Sequence, residues 1–243
     1  MTGFTDAEGC FSLKISKRSG GRNGWDMVPN FIIVLHNKDK IILEGLKSFF
    51  KVGNIFKHGE TNVQYQVNSA VDLQILIEYF NNYPLLTKKQ IDFLLFKDIV
   101  SILLRLFIRA EEHLTPEGIL KLVALKASLN KGLSDKLKNA FPDVMPVSRP
   151  LMPNVPLHEQ WLAGFTAGEG CFMIKITKAN TKLGERVQLI FQLTQHIRDE
   201  ELIISLIQYL GCGNVIIGTS SIDYRVLKLE DILTKVIPPF FFK

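Results

Sequence analysis

The sequence predicts an α+β fold built twice: two pseudo-symmetric halves, each an antiparallel sheet backed by helices. Three observations predict it. A motif is repeated, GFTDAEGCFSLKI at 3–15 returning as GFTAGEGCFMIKI at 164–176, with Glu8 and Glu169 161 residues apart (169 − 8). The match continues, FIIVLHNKDKIILEGLKSFFKVGNI (31–55) against FQLTQHIRDEELIISLIQYLGCGNV (191–215), and Tyr65-Gln66-Val67 against Tyr224-Arg225-Val226. The offset shrinks by one residue from block to block, as loops of slightly different length in two copies of one fold would make it. Finally, the apolar period changes in the same order in each copy, from helical to alternating and back, which is the pattern of helices laid on one antiparallel sheet.

Taken along the chain, the small-residue segment through Gly9, and its counterpart from Trp161 through Gly170, reads as a short helix. Phe11, Leu13 and Ile15 then alternate with Ser12, Lys14, Ser16 and Arg18, a half-exposed strand. Val28–Leu35 and Val187–Leu193 read as second strands. Lys38–Phe50 and Arg198–Leu210 carry helical spacing, and two more strands flank loops near His58–Thr61 and Gly218–Ser220. The first half adds helices over Ala70–Asn81 and Lys88–Leu104. Between the halves, Thr115 is placed to cap a helix with Pro116 at its first position and Glu117 in its first turn, and Ser134 to cap another. Five prolines between Phe141 and Pro156 mark an extended linker. The organisation expected is a half over 1–110, a helical and proline-rich linker over 111–157, and a half over 158–243. The copies differ at their ends. Met1 stands in the place of Leu162, and Phe240–Lys243 falls opposite Phe80–Tyr83, so the second half is expected to lack a counterpart of the helix after Pro84 and to expose core there.

Composition narrows the class of protein. Nearly half of the residues are hydrophobic (47%), enough for a sizeable core and too many for a disordered chain. The net charge of +5 and pI near 9.0 fit a polyanionic partner without requiring one. Three cysteines without metal-ligand spacing argue against a disulfide framework and a zinc site, and read as small buried residues in a reducing compartment. No secretory signal precedes the first motif, and the most apolar stretch, Ile99–Ile108, is broken by Arg105 and too short to span a bilayer, so no membrane partner is expected.

The repeated motif carries the chemistry. Gly3 and Ala7, like Gly164 and Gly168, are small residues four apart on one helix face, which lets a second helix backbone come close. Two such helices are expected to pack together at a pseudo-twofold axis. Glu8 and Glu169 end these helices, each followed by a glycine placed as a left-handed C-terminal residue. A carboxylate there faces the negative end of the helix dipole, and two such carboxylates repel each other, so a hard divalent cation is the expected compensation. Two cations roughly 3.5–4 Å apart suit in-line phosphodiester displacement. Exposed helix ends without function are the competing reading, and the repetition of the acid behind a small-residue face weighs against it.

FTDAEGCF and WLAGFTAGEGCF resemble the two motifs of the single-chain LAGLIDADG homing endonucleases of fungal organelle introns. So do the string EHLTPEGILKLVALKASLNKGLSDKLKNAFP and YPLLTKKQIDF, so that the likeness covers nearly the whole chain. It implies a monomer whose two sheets form a saddle over the DNA major groove and whose cleavage leaves short 3′ overhangs. It also implies that Glu8 and Glu169, with Ala7 and Gly168 before them, bind the catalytic metal: Mg²⁺ or Mn²⁺ for cleavage, and Ca²⁺ as a non-cleaving substitute. Gln195 matches a polar residue that organises water near the scissile phosphate, and Lys228 a lysine that polarises the site. Their first-half counterparts are Leu35 and Ser69, so the two halves are not equivalent there. His36 and His196 repeat too, and there helix entry or packing competes with metal ligation. Asp39 and Asp199, three residues later, read as structural.

DNA recognition is assigned to the polar side of each sheet. Ser12, Lys14, Ser16 and Arg18 alternate onto one face, as do Lys175 and Thr177, while Arg186, Gln188, Gln192 and Thr194 share another. Arg, Lys and Gln read purine edges, and other lysines meet phosphates. A basic loop from Lys17 to Arg22 adds reach along the groove, and a merely solvated sheet face is the bland alternative. Because the halves differ, the double-stranded target is expected to be long and asymmetric. The resemblance places the protein in the mitochondrion. An RNA-binding maturase acting on intron RNA, and a non-catalytic DNA-binding remnant, are the alternatives to the endonuclease.

Overall fold

The computed structural model describes residues 1–17, 24–108, 115–180 and 182–240. Its contacts divide the chain into two units, and these are not the three consecutive segments 1–110, 111–157 and 158–243. One unit, with the first sheet, holds Glu8–Pro84 and Lys89–Pro153; the other, with the second sheet, holds Met1–Ala7, Leu85–Lys88 and Asn154–Lys243. The linker therefore packs with the first half, and the first motif helix packs with the second.

The first-sheet unit runs β1 (Gly9–Lys17), β2 (Trp25–His36), a 3-10 turn, α2 (Lys40–Phe50), β3 (Asn54–His58), β4 (Asn62–Val67), α3 (Leu73–Asn82), α4 (Lys89–Ile108), α5 (Pro116–Ser128) and α6 (Asp135–Ala140). Its antiparallel sheet has the order β1-β2-β4-β3. The alternation read from sequence buries Phe11, Leu13, Phe31, Ile33, Tyr65 and Val67 on one face. Over that face lie the aromatic rings of α3 and α4: Phe11 sits 5.8 Å from Phe80, 5.5 Å from Phe93 and 5.3 Å from Phe96. The linker joins this unit because α5 adds Ile119, Leu122, Val123 and Leu125 to a core shared with Leu13, Leu95 and Ile99. Arg149 then ties the extended stretch down, donating to the buried Asp92 carboxylate at 2.9 Å and to the Ser128 carbonyl at 3.0 Å. Thr115 caps α5 as its sequence suggests, its Oγ1 accepting from Gly118 N at 3.1 Å, whereas Ser134 precedes α6 without a side-chain capping bond.

The second-sheet unit contains α1 (Thr2–Glu8) up to Ala7, α7 (Glu159–Glu169), β5 (Gly170–Lys178), β6 (Glu185–His196), α8 (Glu200–Leu210), β7 (Asn214–Ile217), β8 (Ser221–Val226) and the single turn α9 (Leu229–Asp231). The sheet order β5-β6-β8-β7 repeats that of the first. Both copies share a device at the start of the third strand. Gly53 and Gly213 each have φ near 81°, and a Cβ on either would lie within 2.9 Å of the following tyrosine's ring. Tyr65 and Tyr224 are buried there and donate to the carbonyls of Val52 and Cys212, each at 2.9 Å.

One face of the second sheet is uncovered among the described residues. Phe172, Ile174, Ile176 and Val187 are exposed (Ile174 67%), while Leu13, at the position matching Ile174, is 1% exposed beneath α4. No helix like α4 covers the second sheet among the described residues. Expectations about the cysteines and the motif glycines need correction. Cys10 and Cys171 are exposed and Cys212 is half-buried, because the first two fall on the outward side of the strand alternation, in line with Ser12 and Lys14 or with Lys175. Gly170 is extended (φ −83°, ψ 147°) and not left-handed. It is glycine for space: a Cβ would stand 2.3 Å from Thr166 Cγ2 and 2.5 Å from its carbonyl oxygen.

Candidate active site and nucleic-acid interface

The motif helices meet within the second-sheet unit. A Cβ on Gly3 would lie 1.9 Å from the carbonyl oxygen of Trp161, and one on Gly164 would lie 2.9 Å from Phe4 N, so α1 and α7 touch backbone to backbone at the two glycines. Asp6 fixes α1 further. Its buried carboxylate accepts from Leu86 N at 2.8 Å, Thr87 N at 3.2 Å, Thr87 Oγ1 at 2.5 Å and Trp161 Nε1 at 2.7 Å. The matching residue of the second motif is Ala167, so only one copy carries this clamp. Asp199 takes the next amide, Lys88 N, at 2.6 Å. Together the two aspartates hold the short segment that leads into α4.

Each motif helix runs into its strand with no intervening loop, which sets the motif acid beside the sheet's first pair of strands. Glu8 is half-buried. Burial holds its carboxyl above the usual glutamate range, and the nearby Lys89 ammonium, at the first residue of α4, partly offsets the shift. Lys89 was not singled out from sequence, although it lies in the quoted YPLLTKKQIDF. Glu169 is also half-buried. In the second sheet Gly170 pairs with Leu193, so Gln195, two residues further along β6, runs past the start of β5 and lies level with the C-terminal end of α7. Its Oε1 accepts from His196 N at 2.7 Å. Lys228 follows β8, is exposed, and pairs with Glu230 at 2.7 Å, a contact that raises its pKa. Among the described residues no three His, Cys, Asp or Glu side chains gather around one point. A lone carboxylate at a helix end thus fits a hard cation whose remaining ligands are water and substrate oxygens, as Mg²⁺ and Ca²⁺ accept, and does not fit a closed protein cage.

The repeated histidines begin 3-10 turns: His36 Nδ1 accepts from Lys38 N at 3.2 Å and His196 Nδ1 from Arg198 N at 3.1 Å. Asp39 and Asp199 stand at the N-cap positions just before α2 and α8, without a side-chain capping bond. The outward faces carry most of the residues assigned to recognition. In the first sheet Ser12, Lys14 and Ser16 point away from the core, paired with Asn30, Val28 and Asp26. In the second, Thr177 pairs with Arg186 and Lys175 with Gln188, so the groups read separately from the sequence, Gln192 and Thr194 included, share one face. Arg18 and Arg22 lie outside the described residues. Asn30, Gln64, Gln66, Asp223 and Arg225, not singled out from sequence, join the same outward faces by register. Their alternation with Val63, Tyr65, Val67, Ile222, Tyr224 and Val226 was the available signal.

The family model described as LAGLIDADG endonuclease matches residues 1–100 and 162–242. The chain belongs to the LAGLIDADG endonuclease family. "Probable intron-encoded endonuclease 3" of Neurospora crassa is 36% identical over all of the chain and 45% of its own length, and "Probable intron-encoded endonuclease 2" of the same organism is 34% identical over 99% of the chain and 54% of its own. The chain therefore spans about half the length of these curated relatives. Among solved structures, the I-SmaMI LAGLIDADG homing endonuclease bound to cleaved DNA is 40% identical, with a TM-score of 0.92 over 98% of this chain and 80% of that one. I-SmaMI bound to uncleaved DNA in the presence of calcium ions matches with a TM-score of 0.91.

Proposed function

We propose that this LAGLIDADG chain is a site-specific endonuclease that hydrolyses phosphodiesters in double-stranded DNA. The observation that carries the reading is the half-buried acid ending each motif helix at the head of a strand whose outward face is polar, Glu8 over Ser12, Lys14 and Ser16, and Glu169 over Lys175 and Thr177. Kinship with a protein crystallised on cleaved DNA supports it. A divalent cation, Mg²⁺ in the working enzyme, would when bound supply Lewis acidity at the scissile phosphate. Glu8, with Ala7 before it, would hold such a cation in one half, and Glu169, with Gly168 before it, in the other. Gln195 orients water, Lys228 draws charge toward the second-half site, and Lys89 balances Glu8 in the first. Ser12, Lys14, Ser16, Arg18, Arg22, Lys175, Thr177, Arg186, Gln188, Gln192 and Thr194 meet the duplex. Their inequality between halves makes the target asymmetric. The intron-encoded names of the relatives, with that of a Podospora anserina protein in an ND4 intron, support a gene within an intron, and the resemblance to organelle-intron endonucleases supports action in the mitochondrion.

Incubating the purified protein with duplexes spanning candidate intron-insertion sites tests the reading. Mg²⁺ should give double-strand cuts at one site, and Ca²⁺ should give binding to that duplex without cutting. A folded sample that cuts none of the duplexes in Mg²⁺ overturns it.

A further inference from the structure

At matching positions of β8 and β4 the two sheets carry different side chains, each held by a chain of hydrogen bonds on the outward face. In the second sheet Gln192 Nε2 donates to Thr194 Oγ1 at 2.9 Å, and Thr194 Oγ1 to Asp223 Oδ1 at 2.7 Å. Arg225 Nη2 donates to Asp223 Oδ2 at 2.8 Å. Every member lies on the face opposite Tyr224 and Val226. In the first sheet Gln66 stands where Arg225 stands in the second. Gln66 Nε2 donates to Asn30 Oδ1, Gln64 Nε2 donates to Gln66 Oε1 at 3.3 Å, and Asn30 is anchored by donating to the Val28 carbonyl at 2.9 Å. Asn30 is itself 5% exposed, so this chain starts from a fixed, buried amide.

Resting on the proposal that these faces bind DNA, we infer that Arg225 and Gln66 are base readers: Arg225 selects a guanine in the DNA met by the second sheet, and Gln66 an adenine in the DNA met by the first. The chemistry separates this role from a phosphate contact. A guanidinium bound to an aspartate has part of its charge cancelled and a carboxylate beside it that repels an approaching phosphate. A guanine edge is neutral and offers two acceptors, O6 and N7, to the N–H groups that Asp223 leaves open. Arg225 also keeps a buried Nε with no partner, so its guanidinium is short of acceptors in the free protein. Gln66, with one amide hydrogen and one oxygen lone pair still unused, presents the donor and acceptor that the N6 and N7 of adenine complement. Side chains held in place before binding lose less freedom on contact, which sharpens discrimination.

Selection of bound duplexes from a randomised double-stranded pool, in Ca²⁺ so that binding is read without cutting, tests the inference. Wild type should enrich guanine at one position and adenine at another. Arg225→Gln should reduce the guanine preference about tenfold at that position alone, and Asp223→Asn should flatten the same position. Gln66→Arg should turn the adenine position toward guanine. Circular dichroism confirms that each variant is folded, and salt titration of total binding is the second readout. A loss spread evenly over all sequences, with the salt slope of Arg225→Gln shallower by about 1, assigns Arg225 to phosphate and overturns the inference, as does unchanged enrichment. Wild type that binds duplex but enriches neither base defeats the inference alone. Folded wild type that binds no duplex defeats the DNA reading and the inference together.

Discussion

Comparison of the two copies residue by residue exposes positions where one copy is strained or clamped and the other is not. Lys51 ends α2 in the left-handed region at φ 59°, and the residue ending α8 in the same conformation is Gly211 at φ 62°. A side chain makes that conformation unfavourable by about 1 kcal/mol. Lys51→Gly should therefore raise stability by about that amount, read as a higher denaturant midpoint at an unchanged slope. Asp6 is the opposite case, a buried carboxylate taking four hydrogen bonds. Its removal leaves buried donors unpaired, and Asp6→Ala should cost about 3 kcal/mol or more, measured by urea unfolding. The role of Asp6 was not legible in the sequence, where it was one more polar residue in the motif. Its partners lie near residue 86 and at Trp161, and no local pattern announces contacts across such separations.

Among the elements, the α1–α7 contact and the glycine–tyrosine pairs explain why the repeat kept the residues it did. Gly3→Ala places a Cβ against the Trp161 carbonyl and should destabilise the chain by on the order of 3 kcal/mol, visible in thermal unfolding, with Lys14→Ala as an exposed-site control near zero. Burial pushes the Tyr65 phenol up to about 12, and burial with its contact to Cys212 pushes that of Tyr224 higher still. Both folded values exceed the usual phenol value near 10. Stability from these groups is therefore complete below about pH 10 and is lost as pH climbs from there through 12. Near-ultraviolet absorbance should show these two phenols resisting ionisation in native protein and ionising with the others once it is denatured. Element order and type were legible because strand alternation and helical spacing survive in both copies. The reason for Gly170 was not, since left-handed geometry and tight packing leave the same residue in the sequence.

For the molecule as a whole, the repeat declared two related sheets, and the family match and the two four-stranded sheets bear that out. What the sequence hid is which segment packs with which. Small-residue faces told that the motif helices approach closely, yet not that α1 would be counted with the second sheet, or that the linker would complete the first core through Ile119, Leu122 and Val123. The acids were legible because they repeat. Lys89 was missed because it is meaningful only beside Glu8, which folding brings near it, whereas the alternation of Asp223 and Arg225 with Ile222, Tyr224 and Val226 marked their face but not the bond between them. In the proposed endonuclease each half contributes one acid to cutting. That role is tested most directly by following both end-labelled strands of a cleavable target with wild type, Glu8→Gln and Glu169→Gln in Mg²⁺, alongside binding in Ca²⁺. Either substitution should stop double-strand cleavage while affinity for the duplex stays within about threefold of wild type, a change under 1 kcal/mol. Either variant cutting both strands at the wild-type rate would contradict that role.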